Sequence, residues 1–258
     1  MHSLQLLLND TSVAVLKRVI QALTQLHKVT LQWLAKAKSV TELMESTWNM
    51  LNQMKSQIAK MIDHDNDGYT VEILSSGCSL LSILFLNRVR TIAVKFYEMI
   101  IISQTYPEPD SVRKENEFSL EEVPLTLKVA RPRKLEEEAQ LMIEDLMKYH
   151  GSAHISSANL MACMGSLTHI AKSRPQFLDR IVTAMEMLHA NLPPTLSKSQ
   201  VNSVRKHLKL QLLTILKHPA SHERSGSIKT LLADLGATPQ EINKVIFEYL
   251  SLAGTVCH

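Results

Sequence analysis

An alternating run of acids is the first feature of the sequence that could bind a metal ion. Asp63, Asp65 and Asp67 alternate and Gly68 follows them, as in the first half of an EF-hand calcium loop. That loop needs a bidentate acid at its last position, where this chain has Leu74. We therefore interpret the segment as an acidic turn between helices, whose carboxylates cap the exposed amides of the next helix.

Two histidine pairs have the spacing that places both imidazoles on one helical face, as in many zinc sites. They are His150 with His154 and His218 with His222. A glycine or a proline interrupts each pair at a predicted helix end, and no nearby acid or cysteine completes a ligand set. The three cysteines lie far apart without a CxxC pair, which disfavours a zinc knuckle and a disulfide framework. We interpret the histidines as surface or capping residues.

No motif of nucleophilic, phosphate-binding or metalloprotease chemistry occurs in the chain. The acids of 136–138 lie at a predicted helix start, where they favour the helix dipole. They do not form a paired-carboxylate site. We predict that the chain is not an enzyme and that it needs no cofactor and no metal.

The composition favours an all-α fold made of many helices. Of the 258 residues, 45% are apolar and 21% are charged, and only seven are glycine and five phenylalanine. The aromatic and glycine-rich turn signals of sheets are therefore scarce. Apolar residues recur at the helical period, and prolines or glycines separate the stripes. We predict helices at about 13–34, 39–62, 89–100, 133–149, 156–172, 175–189, 197–217, 221–235 and 239–252.

Successive helices joined by short breaks are typical of an α-solenoid of HEAT-type helix pairs, the ARM/HEAT superhelix. A valine followed by a basic residue recurs weakly, with a later spacing in the HEAT range of roughly 40–47 residues. Arg90 occupies this basic position, and we expect it to contact the turn acids. We predict one solenoid over 1–246, with a long proline-punctuated loop at 106–132 that is either mobile or functional. A compact helical bundle remains the alternative.

Polar and basic residues recur on the outward face of three predicted helices. In a HEAT array the second helices of successive pairs line the concave face, where extended partners bind. A solvated charged face is also the default for any surface helix. The helix that begins near Val89 is expected to bury Val89, Ile92, Ala93, Phe96 and Ile100 on the opposite side. The predicted partner-binding residues are Lys17, Lys28, Thr91, Lys95, Lys198, Arg205 and Lys209.

Several runs of the sequence are specific enough to indicate a protein family. The most specific is 189–206, HANLPPTLSKSQVNSVRK, which continues through LKHPAS at 216–221. The others are KVTLQW at 28–33, DNDG at 65–68 and GSL at 165–167. Together these runs resemble the N-terminal domain of the symplekin family. The similarity extends over about 6–245. A HEAT solenoid is the fold that this resemblance implies.

The chain departs from the family pattern in three places. The family has further helices before the segment that matches Leu6, so we expect a solenoid truncated at its N-terminus. The stretch 69–88 intervenes where the family passes directly from the acidic turn into a helix. We interpret it as an insertion, an unspliced intron or an isoform segment, that forms an apolar, partly ordered excursion. The end, 247–258, is an atypical C-terminal tail.

The resemblance implies a nuclear scaffold of pre-mRNA 3′-end cleavage and polyadenylation, which also serves histone pre-mRNA processing. The implied partners are subunits of the cleavage and polyadenylation specificity factor and of the cleavage stimulation factor, and a phosphatase of the RNA polymerase II C-terminal tail. The resemblance places Thr91 and Lys95 in the phosphatase-docking region. Nuclear localisation rests on the resemblance alone, because no clustered run of lysine and arginine occurs in the chain.

The alternative function is direct binding of RNA or a nucleoprotein by the same basic stripe. The net charge of +3 is compatible with an acidic partner, but nucleic-acid-binding proteins usually concentrate charge more strongly. The uncharged stretch 73–86 is shorter than the roughly 20 residues that span a bilayer. We predict no membrane partner and no small-molecule substrate.

Overall fold

The computed structural model describes the backbone of residues 2–62 and 79–254, and the side chains of residues 2–62 and 87–247. Within these ranges the regular elements are helices and no strand occurs, so the all-α prediction is confirmed. The α-helices are α1 His2–Leu7, α2 Val13–Lys36, α3 Glu42–Ile62, α4 Ser79–Ser103, α5 Pro132–His150, α6 Ser157–Ser173, α7 Leu178–Ala190, α8 Lys198–Leu216, α9 Ser225–Asp234 and α10 Pro239–Gly254. Short 3-10 turns lie at Leu120–Glu122, Pro175–Phe177 and Pro219–Ser221.

Local capping residues explain where several helices begin and end. The Ser156 hydroxyl accepts a hydrogen bond from the amide of Asn159 and so caps α6. Ser197 and Gln200 form a reciprocal capping box at the start of α8. Gly236 lies just after the end of α9. Its φ of +77° is a conformation that ends a helix and that glycine adopts without strain.

The start of α4 differs from the prediction. A helix was expected from about Val89, but the observed one begins at Ser79. The apolar stretch before Val89 has no helical period, so its helicity left no amphipathic pattern to detect. The second part of the predicted insertion 69–88 therefore belongs to α4. The remainder of that insertion and the calcium-like run of acids lie outside the described residues.

The chain divides into two units. The first comprises residues 1–106 and 114–149, and the second comprises residues 107–113 and 150–258. In the first unit α2 packs against both α3 and α4, and α3 packs against α4. In the second, α6 packs against α7 and α8, and α8 packs against α9 and α10. In both units a helix therefore contacts the next helix and the one after it, as in an α-solenoid.

The long connection before α5 contributes to the core of the first unit. Its side chains are buried against the end of α2 and the start of α3, so packing holds this part of the predicted 106–132 loop in place. The buried loop residues are Phe118, Leu120, Val123, Leu127 and Ala130, and the helical residues of the same cluster are Leu31, Leu34, Met44, Trp48 and Leu135.

Arg90 joins α4 to α3. Its Nε donates a hydrogen bond to the backbone carbonyl of Met61 at 3.2 Å, and only 8% of the residue is exposed. The bond satisfies one of the carbonyl groups that have no partner within the last turn of a helix. Arg90 therefore makes a structural contact with a carbonyl of α3. The turn acids, which were its expected partners, lie outside the described residues.

Candidate functional site

The outward face of α4 carries the predicted docking pair. Lys95 points away from the core, and 55% of its side chain is exposed. Val89, Ala93, Phe96 and Ile100 are buried as predicted. Ile92 is only half-buried, which corrects the prediction for that residue. The helix buries Val94, Tyr97 and Ile101 as well, because it packs against two helices, α2 and α3, and needs a wider apolar face than one stripe.

Both polar residues of this face have partners on their own helix. The Lys95 Nζ lies 2.7 Å from Oε2 of Glu98, whose side chain is 15% exposed. The Thr91 hydroxyl donates to the carbonyl of Asn87 at 3.0 Å. Lys95 therefore presents a charge that is partly neutralised by a neighbour one turn away. Glu98 was missed in the sequence, although the i, i+3 spacing of Lys95 and Glu98 was a signal for the pair.

Helix α2 carries the second predicted group. Lys17 is exposed and Lys28 is half-buried. Besides these two, the charged residues of the helix are Arg18 and Lys36, and it contains no acid. Within the described part of the chain, none of these four cations forms an ion pair. The charge of α2 is therefore uncompensated by the side chains that surround it there.

Helix α8 carries the third predicted group, and its residues differ in their environment. Lys198 and Arg205 are exposed. The Lys209 Nζ lies 3.0 Å from Oε2 of Glu241 and 3.3 Å from the carbonyl of Gly236. The amide of Thr238, together with Lys209, lowers the pKa of Glu241 below its usual value. Lys209 thus connects α8 to the start of α10.

Four of the predicted residues lie on two helices of the first unit. Lys17, Lys28, Thr91 and Lys95 lie on α2 and α4, which pack against each other within the first unit. Lys198, Arg205 and Lys209 belong to the second unit.

The histidines singled out by spacing differ in their environment. No group of three or more histidine, cysteine or acidic residues in the described ranges could hold a metal ion. His150 is 1% exposed, and burial lowers its pKa to about 4, so the surface interpretation was wrong for this residue. The Nδ1 of His218 accepts a hydrogen bond from the amide of Ala220 at 3.3 Å, which confirms a capping role.

A buried charged cluster was not predicted from the sequence. The Lys55 Nζ, on α3, lies 2.6 Å from Oε2 of Glu138, on α5, and 5.8 Å from the centre of the Trp48 ring. The Trp48 ring in turn contacts His27 of α2, with ring centres 4.9 Å apart. Burial holds the pKa of His27 well below its ordinary value, and the charge of Lys55 lowers it further. The cluster therefore connects α2, α3 and α5 within the first unit.

The fold and the surface together define a class of protein. In each unit successive helices pack against one another, and α2, α4 and α8 present basic side chains on their outward faces, an arrangement suited to binding macromolecules. No helix in the described ranges is long and apolar enough to cross a bilayer. The class is that of helical-repeat binding proteins.

Comparison with known families specifies which of these proteins the chain resembles. The family model described as Symplekin/PTA1 N-terminal matches residues 12–251, so the chain belongs to this family. Members of the family provide a scaffold in the processing of mRNA 3′ ends. The match confirms the resemblance that the sequence analysis based on the runs at 28–33 and 189–206.

Proposed function

We propose that this chain is a non-catalytic nuclear scaffold that docks a phosphatase of the RNA polymerase II C-terminal tail on the outward face of α4. Family membership supports the scaffold role. The single observation that supports the docking site is the position of Lys95, exposed on the side of α4 opposite Phe96 and Ile100. A cation on a rigid, well-packed helix can select an acidic surface of a partner without reorganisation of the backbone.

The same scaffold is proposed to connect subunits of the cleavage and polyadenylation specificity factor with the cleavage stimulation factor, and to serve histone pre-mRNA processing. Outside α4, the exposed cations Lys17, Lys198 and Arg205 and the half-buried Lys28 are the candidates for such contacts. Lys209 is a weaker candidate than these, because its charge is already engaged by Glu241.

The experiment is a calorimetric titration of the purified phosphatase with charge variants at Lys95. Lys95→Glu replaces an attraction with a repulsion, so we expect binding to weaken more than tenfold, or about 1.4 kcal/mol or more. Lys95→Gln, which removes the charge without placing two acids beside each other, should have a smaller effect. Lys198→Glu is the matched control for an exposed lysine on another unit. Binding of Lys95→Glu at parental strength would exclude this face as the contact.

Glu98 offers an independent test of the same site. It competes with the phosphatase for the Lys95 ammonium group, since the two side chains lie 2.7 Å apart. We expect Glu98→Gln to strengthen phosphatase binding several-fold when the melting temperature is unchanged. Weaker binding by a fully folded Glu98→Gln variant would show that Glu98 itself contacts the partner.

Direct RNA binding is the alternative function. The absence of acids from α2 and α8 is the observation that favours it. If several cations bind phosphates, the affinity should fall steeply with salt, whereas a mixed protein interface should depend on salt less strongly. Titration of a single-stranded RNA and of the phosphatase at two salt concentrations separates the two functions.

A further inference from the structure

Helix α2 has an exposed apolar strip in addition to its cations. Val29 is 57% exposed and Trp33 is 47% exposed, and Leu26 beside them is half-buried. Their spacing of three and four residues places them on one side of the helix. We call these three residues the α2 strip. Exposed apolar residues continue beyond the helix at Val40, which is 37% exposed, and Leu43, which is 70% exposed.

The core of the first unit does not need the α2 strip. The opposite side of the helix buries eight residues, Leu16, Val19, Ile20, Leu23, His27, Thr30, Leu31 and Leu34. The protein has two tryptophans, and the other one, Trp48, is 2% exposed and lies in the core. An exposed tryptophan with apolar neighbours is typical of a protein interface, because large rigid rings contribute most of the energy of such contacts.

The charges around the strip indicate what binds there. Arg18 and Lys36 are exposed on the same helix, each within about 60° of Trp33 on a helical wheel. The helix has no acid, and these two cations form no ion pair with the described residues. The complementary surface is one that is apolar in the middle and acidic at its edges.

We propose that the α2 strip docks an acidic amphipathic helix of a partner protein. Apolar residues of that helix pack on Val29 and Trp33, and its acids approach Arg18 and Lys36. The apolar anchors of such a helix recur at i, i+3, i+4 and i+7, so that they form one face that packs on the α2 strip. The proposed phosphatase contact lies on a different helix, α4.

Two other occupants fit this surface less well. A second copy of the chain, docked strip to strip, would bring two helices that carry only positive charge against each other, which costs free energy. Single-stranded RNA would stack its bases on aromatic rings, but Val29 and Leu26 are aliphatic and offer neither stacking nor hydrogen bonds. Trp33 is the one aromatic residue of the strip.

The test uses a designed peptide and the complete chain. The probe is a helix of about 18 residues, roughly five turns, with leucines at three- and four-residue intervals and glutamates at the flanks. We expect its binding by calorimetry to weaken at least tenfold in Trp33→Ala and in Val29→Glu. In the parent chain, the tryptophan emission should shift to shorter wavelength on binding, because Trp33 becomes buried while Trp48 is already buried. Leu141→Ala, at a residue 63% exposed on α5, is the matched control and should bind like the parent.

Charge reversal provides the second part of the test. The double variant Arg18→Glu, Lys36→Glu should lose the glutamate peptide and gain a peptide in which lysines replace the glutamates. Circular dichroism and thermal melting establish that each variant is folded. Equal binding of a scrambled peptide, or parental binding by folded Trp33→Ala and Val29→Glu variants, would overturn the proposal. It would also be overturned if the chain bound oligouridine through Trp33 but not the peptide, or if it self-associated in a way that Val29→Glu abolished.

Discussion

Helices α2 and α8 have the same kind of charge in the sequence but use it differently in the structure. Both contain cations and no acid. In α8, Lys209 reaches Glu241 and the carbonyl of Gly236, both near the start of α10. In α2, no cation forms an ion pair with any described residue. The cations are Lys17, Arg18, Lys28 and Lys36 in α2, and Lys198, Arg205, Lys206 and Lys209 in α8.

The difference shows what a basic stripe on a helical wheel can and cannot predict. The wheel gives the direction in which a side chain leaves its helix. It does not show whether the fold brings an acid from a distant segment to the same place, as it brings Glu241 to Lys209. A cation that lacks such an acid is available to a partner, and one that has it contributes to the packing of helices.

Lys55 is a buried cation that is paired within the chain, and breaking its pair should give the largest effect on stability. Its side chain is 7% exposed, whereas that of Glu138 is 35% exposed. Glu138→Gln leaves a buried ammonium group without a counter-charge, so we expect a loss of about 2–4 kcal/mol in the free energy of unfolding. Urea denaturation measures it. Lys55→Met should reduce the free energy of unfolding by less than Glu138→Gln does, because Glu138 can remain hydrated. Equal losses in the two variants would contradict this explanation.

Acidification should destabilise the chain through two buried histidines, His27 of α2 and His150 of α5. His27 and His150 are neutral in the folded chain, because burial lowers the pKa of both. The unfolded chain binds protons below about pH 6.5, so stability falls as the pH drops from there toward the folded pKa of each histidine. With a folded pKa of about 4, His150 alone should cost about 2 kcal/mol at pH 5.

Urea denaturation at pH 7 and at pH 5 measures this loss in the free energy of unfolding. We expect the loss to be smaller in His27→Phe than in the parent chain. His222→Gln, at an exposed histidine, is the control and should leave it unchanged. A parental pH dependence in His27→Phe would show that His27 is not buried in its neutral form.

Breaking the pair of Lys209 and Glu241 should destabilise the chain less than breaking the pair of Lys55 and Glu138 or lowering the pH. Lys209→Gln removes the ionic contact with Glu241, which is 47% exposed and well hydrated. We expect the melting temperature to fall by about 1–3 °C. Added salt should reduce this difference, because the pair is close to the surface. A fall that does not change with salt would indicate that the loss comes from packing rather than charge.

The cations of α2 should have the smallest effect on stability. Lys17→Gln removes an exposed charge that makes no ion pair within the described ranges, so we expect the free energy of unfolding to change by less than about 0.5 kcal/mol. Denaturation in parallel with Lys209→Gln gives the comparison directly. A clear loss of stability in Lys17→Gln would contradict the difference between the two helices, because it would mean that a cation of α2 also contributes to the packing of the chain.

Much of the helical architecture could be predicted from the sequence because its signals are local. The stripe from Leu16 to Leu34 predicted α2. The apolar stripes of the second unit, separated by prolines and glycines, predicted α6 to α10 within a few residues. The start of α4 at Ser79 could not be predicted from the sequence, because an apolar stretch without alternating polar residues has no helical period. The burial of Phe118 and Leu120 could not be predicted either, because an irregular segment has no repeating pattern from which burial can be inferred.

The sequence by itself determined the all-α class, the family, and the outward direction of Lys95 and Lys17, since periodicity and motifs are properties of neighbouring residues. Only the tertiary structure decided which charges are engaged. It joined Lys209 to Glu241 and Lys55 to Glu138, and it left Trp33 exposed while it buried Trp48. The physical reason is that ion pairing and burial depend on distances between segments far apart in the chain, which helical periodicity does not encode.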